Sequence, residues 1–150
     1  MIDIAKLAAL AVHYDAGDPR RVQHFIKVYG YCQLLGRSEG LDTHTQNMLE
    51  AAALLHDIGI HEAERRHGSS AGPYQEQEGP AVARPLLREA GADEEESRRV
   101  CWLIAHHHSY GADEDGLPRE SILAARERLF RTGSGRALLD DIFLAKPYII

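Results

Sequence analysis

Apolar residues recur every three or four positions along most of this chain, which is the period of an amphipathic helix. Residues 2–14 carry Ile4, Leu7, Ala8 and Ala11 at that spacing, and residues 15–17 break it. Asp18-Pro19 reads as an N-cap followed by proline at the first helical position. The second helix runs to about Leu35 with Val22, Phe25, Ile26, Tyr29 and Cys32 on one stripe and His24 beside it; Gly36 and Gly40 end the segment. Asp42 or Thr43 caps a third helix with Met48, Leu49, Ala52, Ala53, Leu55 and His56 on its inner side. Residues 61–74 are polar and contain Gly68-Ser69-Ser70 and Gly72-Pro73, so they read as a loop, with at most a short helix at its start. Its length and place suit either a lid over a site or a solvated connector. Residues 75–90 form a helix despite Pro80 and Pro85, and Gly91 stops it. The acids of Asp93-Glu94-Glu95-Glu96 open the next helix, where the macrodipole favours them. Its inner face runs Val100, Cys101, Ile104 and ends in His107 and His108. A Gly- and Asp-rich loop (109–118) and two further helices, about 120–131 and 136–145, complete the pattern. No strand pattern or repeat is present. The expectation is an all-α fold, one compact helical bundle over residues 1–150.

Composition narrows the class. The chain has 150 residues, enough for one self-sufficient core, with 44% hydrophobic and 27% charged residues. No apolar run approaches a membrane span, and the N-terminus lacks a signal peptide's charge pattern. Cys32 and Cys101 lie in helical patterns outside any Cys-x-x-Cys pair, which suits reduced core thiols and a cytoplasmic location. A net charge of -6 argues against a general nucleic-acid binder, which needs clustered Lys and Arg. It leaves room for a small phosphorylated substrate, because a bound metal can supply positive charge locally. The 9 histidines raise the question of such a metal.

One stretch concentrates the chemistry. Ala51-Ala52-Ala53-Leu54-Leu55 is a buried helix by pattern, and it ends in His56-Asp57-Ile58-Gly59. A carboxylate at the end of a core helix is costly unless it is paired or binds a cation. Neighbouring helical residues point about 100° apart, but where the helix unwinds before Gly59 both side chains can converge on one ion. Imidazole nitrogen with carboxylate oxygen suits a divalent transition metal. A core histidine hydrogen-bonded to a carboxylate near a C-cap accounts for the dipeptide as well.

His24 on an early helix, the His56-Asp57 doublet ending a later one and a histidine cluster ending another together resemble the HD superfamily. Closer likeness to its small stand-alone bacterial and archaeal members runs through Leu54–Ile60, Tyr74-Gln75-Glu76-Gln77-Glu78-Gly79-Pro80, His106-His107-His108-Ser109-Tyr110 and Leu138-Leu139-Asp140-Asp141. The resemblance implies an all-helical, metal-dependent phosphohydrolase. Its metal pattern transfers to His24, His56 and Asp57, with manganese, iron, cobalt, nickel, zinc or magnesium as the divalent ion. It also places catalytic roles on Asp57, His107 and His108. His107 and His108 sit where binuclear members bind a second metal; near the other such position this chain offers Glu76 and Glu78 without a histidine. One well-formed metal site is therefore expected, with His107 or His108 contacting substrate phosphate or acting as general acid. Their alternative is a polar helix end at the surface.

The chain departs from the family at the last ligand. Where relatives carry an Ala-Asp pair, this sequence reads Ile122-Leu123-Ala124-Ala125-Arg126-Glu127. Either Glu127 takes the position, or the ligand-bearing helix is absent and residues 118–143 match the family's C-terminal helices. The second alignment fits the tail better. Three readings follow: a metal-dependent phosphohydrolase acting on a small phosphorylated molecule such as a nucleotide, a degenerate HD domain that binds metal or nucleotide without turnover, and an interaction module. His44, His61 and His67 read as surface histidines. Arg65 and Arg66 read as solvated side chains or a phosphate grip.

Overall fold

Four aspartates set the starts of four helices. Asp3, Asp18, Asp42 and Asp93 each accept a hydrogen bond from a backbone N–H three residues on, at Lys6, Arg21, Thr45 and Glu96. Each such cap contributes about 0.5–2 kcal/mol. At Asp93 the Glu96 side chain returns the bond and closes a capping box. The computed structural model describes residues 1–107, which fall within one compact unit, Met1–His108. The expected helices at 120–131 and 136–145, and the extent of a single bundle over 1–150, lie outside the described residues.

The described residues form six helices and no strand: α1 Ile4–Tyr14, α2 Pro19–Ser38, α3 Thr43–Leu55, α4 Ile60–His67, α5 Gly72–Glu89 and α6 Glu94–His106. None is long and apolar enough to cross a membrane. The core joins Leu7 and Ala11 of α1, Phe25 of α2, Ala51, Leu54 and Leu55 of α3, Ala83 and Leu87 of α5, and Val100 and Ile104 of α6. Ile2 is tied to α3 by a reciprocal amide pair: its N–H donates to Asn47 Oδ1 at 3.0 Å and its carbonyl accepts from Asn47 Nδ2 at 2.9 Å. Both cysteines are free. Burial, and then the charge of Glu50, push the Cys32 thiol up to about 11, which makes it inert.

Two sequence expectations are corrected. The stretch 61–74 is a loop only over residues 68–71: the short helix suggested at its start is present as α4, Ile60–His67, and α5 begins earlier than expected, at Gly72. Only Ile60 and Ala63 of α4 are buried, so its apolar signal is faint. Its exposed face is held by Glu62, which accepts from Arg65 Nε at 2.9 Å and Arg66 Nε at 2.6 Å. That pairing occupies both arginines of the suggested phosphate grip. Gly36 does not end α2, which runs to Ser38; Gly36 lets the Gln46 side chain lie against the helix.

α3 and α6 run side by side in the same direction. Their first turns meet through His44 Nδ1 and Glu96 Oε1 at 3.7 Å. Just past their last turns the His56 and His107 rings stand 5.4 Å apart, centroid to centroid. Between α3 and α4 the chain makes a tight turn closed by the Ile58 N–H to Leu55 O and the Ile60 N–H to Asp57 O, at 3.0 and 3.1 Å. Gly59 in this turn lies flat against α5. A Cβ there meets Gly79 N at 2.6 Å, Gln75 O at 2.7 Å and Gly79 Cα at 2.8 Å, all backbone atoms. Because φ at Gly59 is -81°, the requirement is closeness rather than conformation. Gly59→Ala is expected to destabilise by about 1–3 kcal/mol or more, as overpacking does. A denaturation midpoint equal to wild type would show that α5 does not press on the turn.

Candidate metal centre

The turn after Leu55 delivers His56 and Asp57 to one place, and α2 brings His24 from the side. His24 Nε2, His56 Nε2 and Asp57 Oδ2 form a triangle whose three edges are each 3.2 Å. They are the described cluster whose ligand atoms all lie within 4.8 Å of one another. Asp57 is enclosed, its side chain 11% exposed, while His24 at 42% leaves the triangle open to solvent. Asp57 Oδ1 faces His107 Nε2 at 3.3 Å, and Arg21 Nη1 donates to Oδ2 at 3.3 Å.

Ring orientation is fixed from behind. His56 Nδ1 lies 2.7 Å from the Ala53 carbonyl and His107 Nδ1 lies 2.6 Å from the Ile104 carbonyl. A carbonyl only accepts, so each Nδ1 carries a proton and each neutral ring turns an Nε2 lone pair inward. Those lone pairs then face a carboxylate oxygen. Something positive must lie between them, either an added proton or a cation. Adjacent ligand atoms on an ion with bonds of about 2.0–2.2 Å stand roughly 3 Å apart, so the triangle fits a divalent metal. The carbonyls behind the rings match the outer partners that metal-bound histidines have.

Without a metal, protons take that part. Burial pulls His56 down, but the hydrogen bond and charge of Asp57 and the Ala53 carbonyl outweigh it and raise its pKa. Burial lowers His24, with the charge of Asp57 opposing and that of His56 assisting. Burial pushes the Asp57 carboxyl upward, yet the hydrogen bonds and charges of His107 and His56 hold it far below the usual carboxylate range. Asp57 is therefore depressed in the folded state relative to about 3.9 unfolded. Its contribution to stability is fully present above that value and is lost as pH falls toward the folded one. In chelator, wild-type melting temperature is expected to drop more steeply than that of Asp57→Asn between pH 5 and 3. Parallel acid limbs would remove Asp57 from the electrostatic balance.

Other sequence candidates separate. His107 is gathered into the cluster rather than left at the surface. His108 and Glu127 lie outside the described residues. His61 is not a plain surface histidine, since its Nε2 is 3.2 Å from Asp18 Oδ2 and 3.5 Å from buried Asp15 Oδ1. His67 Nε2 bonds buried Glu78 at 3.0 Å and its ring stacks on Tyr74. His44 stays largely exposed against Glu96. Arg21 went unread in the sequence: it lies 36 residues from Asp57, and its only cue is the spacing of one helical turn before His24.

The HD domain family model matches residues 21–130 of this chain, and the chain belongs to that family. HD domains bind divalent metals, and the family is one of metal-dependent phosphohydrolases. No curated protein and no solved structure matches the chain.

Proposed function

We propose that His24, His56 and Asp57 hold one divalent metal ion, and that the chain hydrolyses a phosphoester of a small molecule such as a nucleotide. The observation that carries this reading is the 3.2 Å triangle of two imidazole nitrogens and a carboxylate oxygen, with the His56 ring proton committed to the Ala53 carbonyl. A bound ion supplies acidity to a water and screens the charge developing on phosphate. Three protein ligands with an open position are a catalytic arrangement as well as a binding one. His107, fixed by the Ile104 carbonyl and with Nε2 3.3 Å from Asp57 Oδ1, is placed to serve as general acid toward a leaving oxygen when its ring takes up a second proton. Arg21, with its planar fork, binds the phosphate oxygens.

Metal analysis of purified protein and phosphate release across nucleotides and phosphomonoesters test this, with His56→Ala as control. The expected result is a bound divalent ion and turnover that needs it, both lost in His56→Ala. Turnover indifferent to chelator and to His56→Ala would sink the reading. A second reading rests on the Ile122–Glu127 stretch, which lacks the family's last aspartate: metal or nucleotide binding without turnover. Its mark is ligand-dependent thermal stabilisation with no phosphate released.

A further inference from the structure

Two of the three buried polar side-chain atoms without a hydrogen-bond partner among the described residues are Asp15 Oδ2 and Arg21 Nε. One is an anionic acceptor and the other a cationic donor. Asp15 follows the last turn of α1 and its side chain is 2% exposed. Its backbone is held by the Asp15 N–H to Ala11 O and by the Asp18 N–H to Asp15 O, both at 3.0 Å. Arg21 sits in the first turn of α2, its N–H bonded to Asp18 Oδ1. The two charged groups lie within electrostatic reach of each other and of Asp57. A buried group left unpaired costs about 1–3 kcal/mol, more when it is charged.

Arg21 already spends Nη1 on Asp57 Oδ2 at 3.3 Å. That same oxygen is one corner of the 3.2 Å triangle. A divalent cation there takes the charge of Asp57 and repels the guanidinium beside it. Arg21 then needs another anion, and the Asp15 carboxylate, whose Oδ2 has no hydrogen-bond partner, is one the fold supplies. His61 and Asp18 border Asp15 from α4 and α2, but neither bonds Oδ2.

Resting on the metal reading above, we propose that Asp15 is a positioning residue that receives Arg21 when a cation takes Asp57. Asp15 keeps the guanidinium at the edge of the metal centre, with its outer donors free for phosphate. Arg21 thus has two carboxylate partners, one for the empty centre and one for the loaded centre.

The test uses the intact chain. Wild type is titrated with Zn²⁺ and followed by the ¹⁵N–¹H signal of Arg21 Nε, assigned by its absence in Arg21→Lys. At saturation this signal is expected to shift and its proton to exchange more slowly with water. An unmoved signal, while histidine ring signals report the bound ion, overturns the proposal and leaves the metal reading standing. Histidine rings that ignore the ion defeat both. Calorimetry supplies the second arm: Asp15→Asn is expected to weaken Zn²⁺ binding roughly tenfold or more, the range typical of outer partners, and to have little effect in the Arg21→Met background. Equal weakening in both backgrounds would mean that Asp15 acts without Arg21 and would overturn the proposal.

Discussion

Asp57→Asn is expected to empty the metal centre while leaving the helices in place. The substitution keeps the size of the side chain and removes the anionic corner of the triangle. Outer partners of a metal site are worth about 10–100-fold in affinity, and loss of a direct oxygen should exceed that range. The asparagine amide can donate to imidazole lone pairs in place of the lost charge interactions, so the helices stay in place while the stability that Asp57 contributes is given up. Elemental analysis beside a melting curve reads both effects. Added divalent ion should raise the melting temperature of wild type and not of the variant, because only binding to the folded state stabilises it. The contrary result is a large thermal loss with unchanged metal content, which would make Asp57 a packing partner of His56.

Leu55→Ala is expected to cost roughly 2–5 kcal/mol, the range for emptying a buried leucine site. Leu55 is fully buried in the cluster that joins α3 to its neighbours, and it ends α3 immediately before His56. For a chain of this size each kcal/mol shifts the melting temperature by about 2–4 °C, so the change should be plain by calorimetry. The cavity also loosens the support of the turn, so metal affinity should weaken together with stability. A loss under about 1 kcal/mol would place Leu55 outside the core.

The core helix was legible because its cause is local. Five apolar residues followed by His-Asp and Gly state a buried helix, a charge problem and a stop within ten positions. The cap at Asp18, and Asp42 as one of two candidates, were legible for the same reason, as was the place of His24 beside an apolar stripe; the cap at Asp3 was not read, and Asp93 was read only within an acidic helix start. The short helix α4 was legible only as an option at the start of a loop, because its order rests on Glu62 pairing with Arg65 and Arg66, which looks like solvated charge in a sequence. Gly36 misled because a glycine that ends a helix and one that admits a neighbouring side chain read alike. Arg21 and Asp15 meet the centre through tertiary placement, so no local pattern marks them. His107 could be placed on an inner helix face, but its meeting with Asp57 spans 50 residues.

The shared direction of α3 and α6 bears on the order in which the centre fills. Both helices end at the cluster, so both present the negative end of their backbone dipole to it, about half an elementary charge each. Asp57 adds a full one, and Arg21 is bonded to it. The cluster by itself thus attracts cations and repels phosphate. Loading should be sequential: inorganic phosphate followed by ³¹P resonance binds weakly in chelator, and gains affinity once a divalent ion has entered. The peptide backbone, rather than a further side chain, then sets which partner enters first.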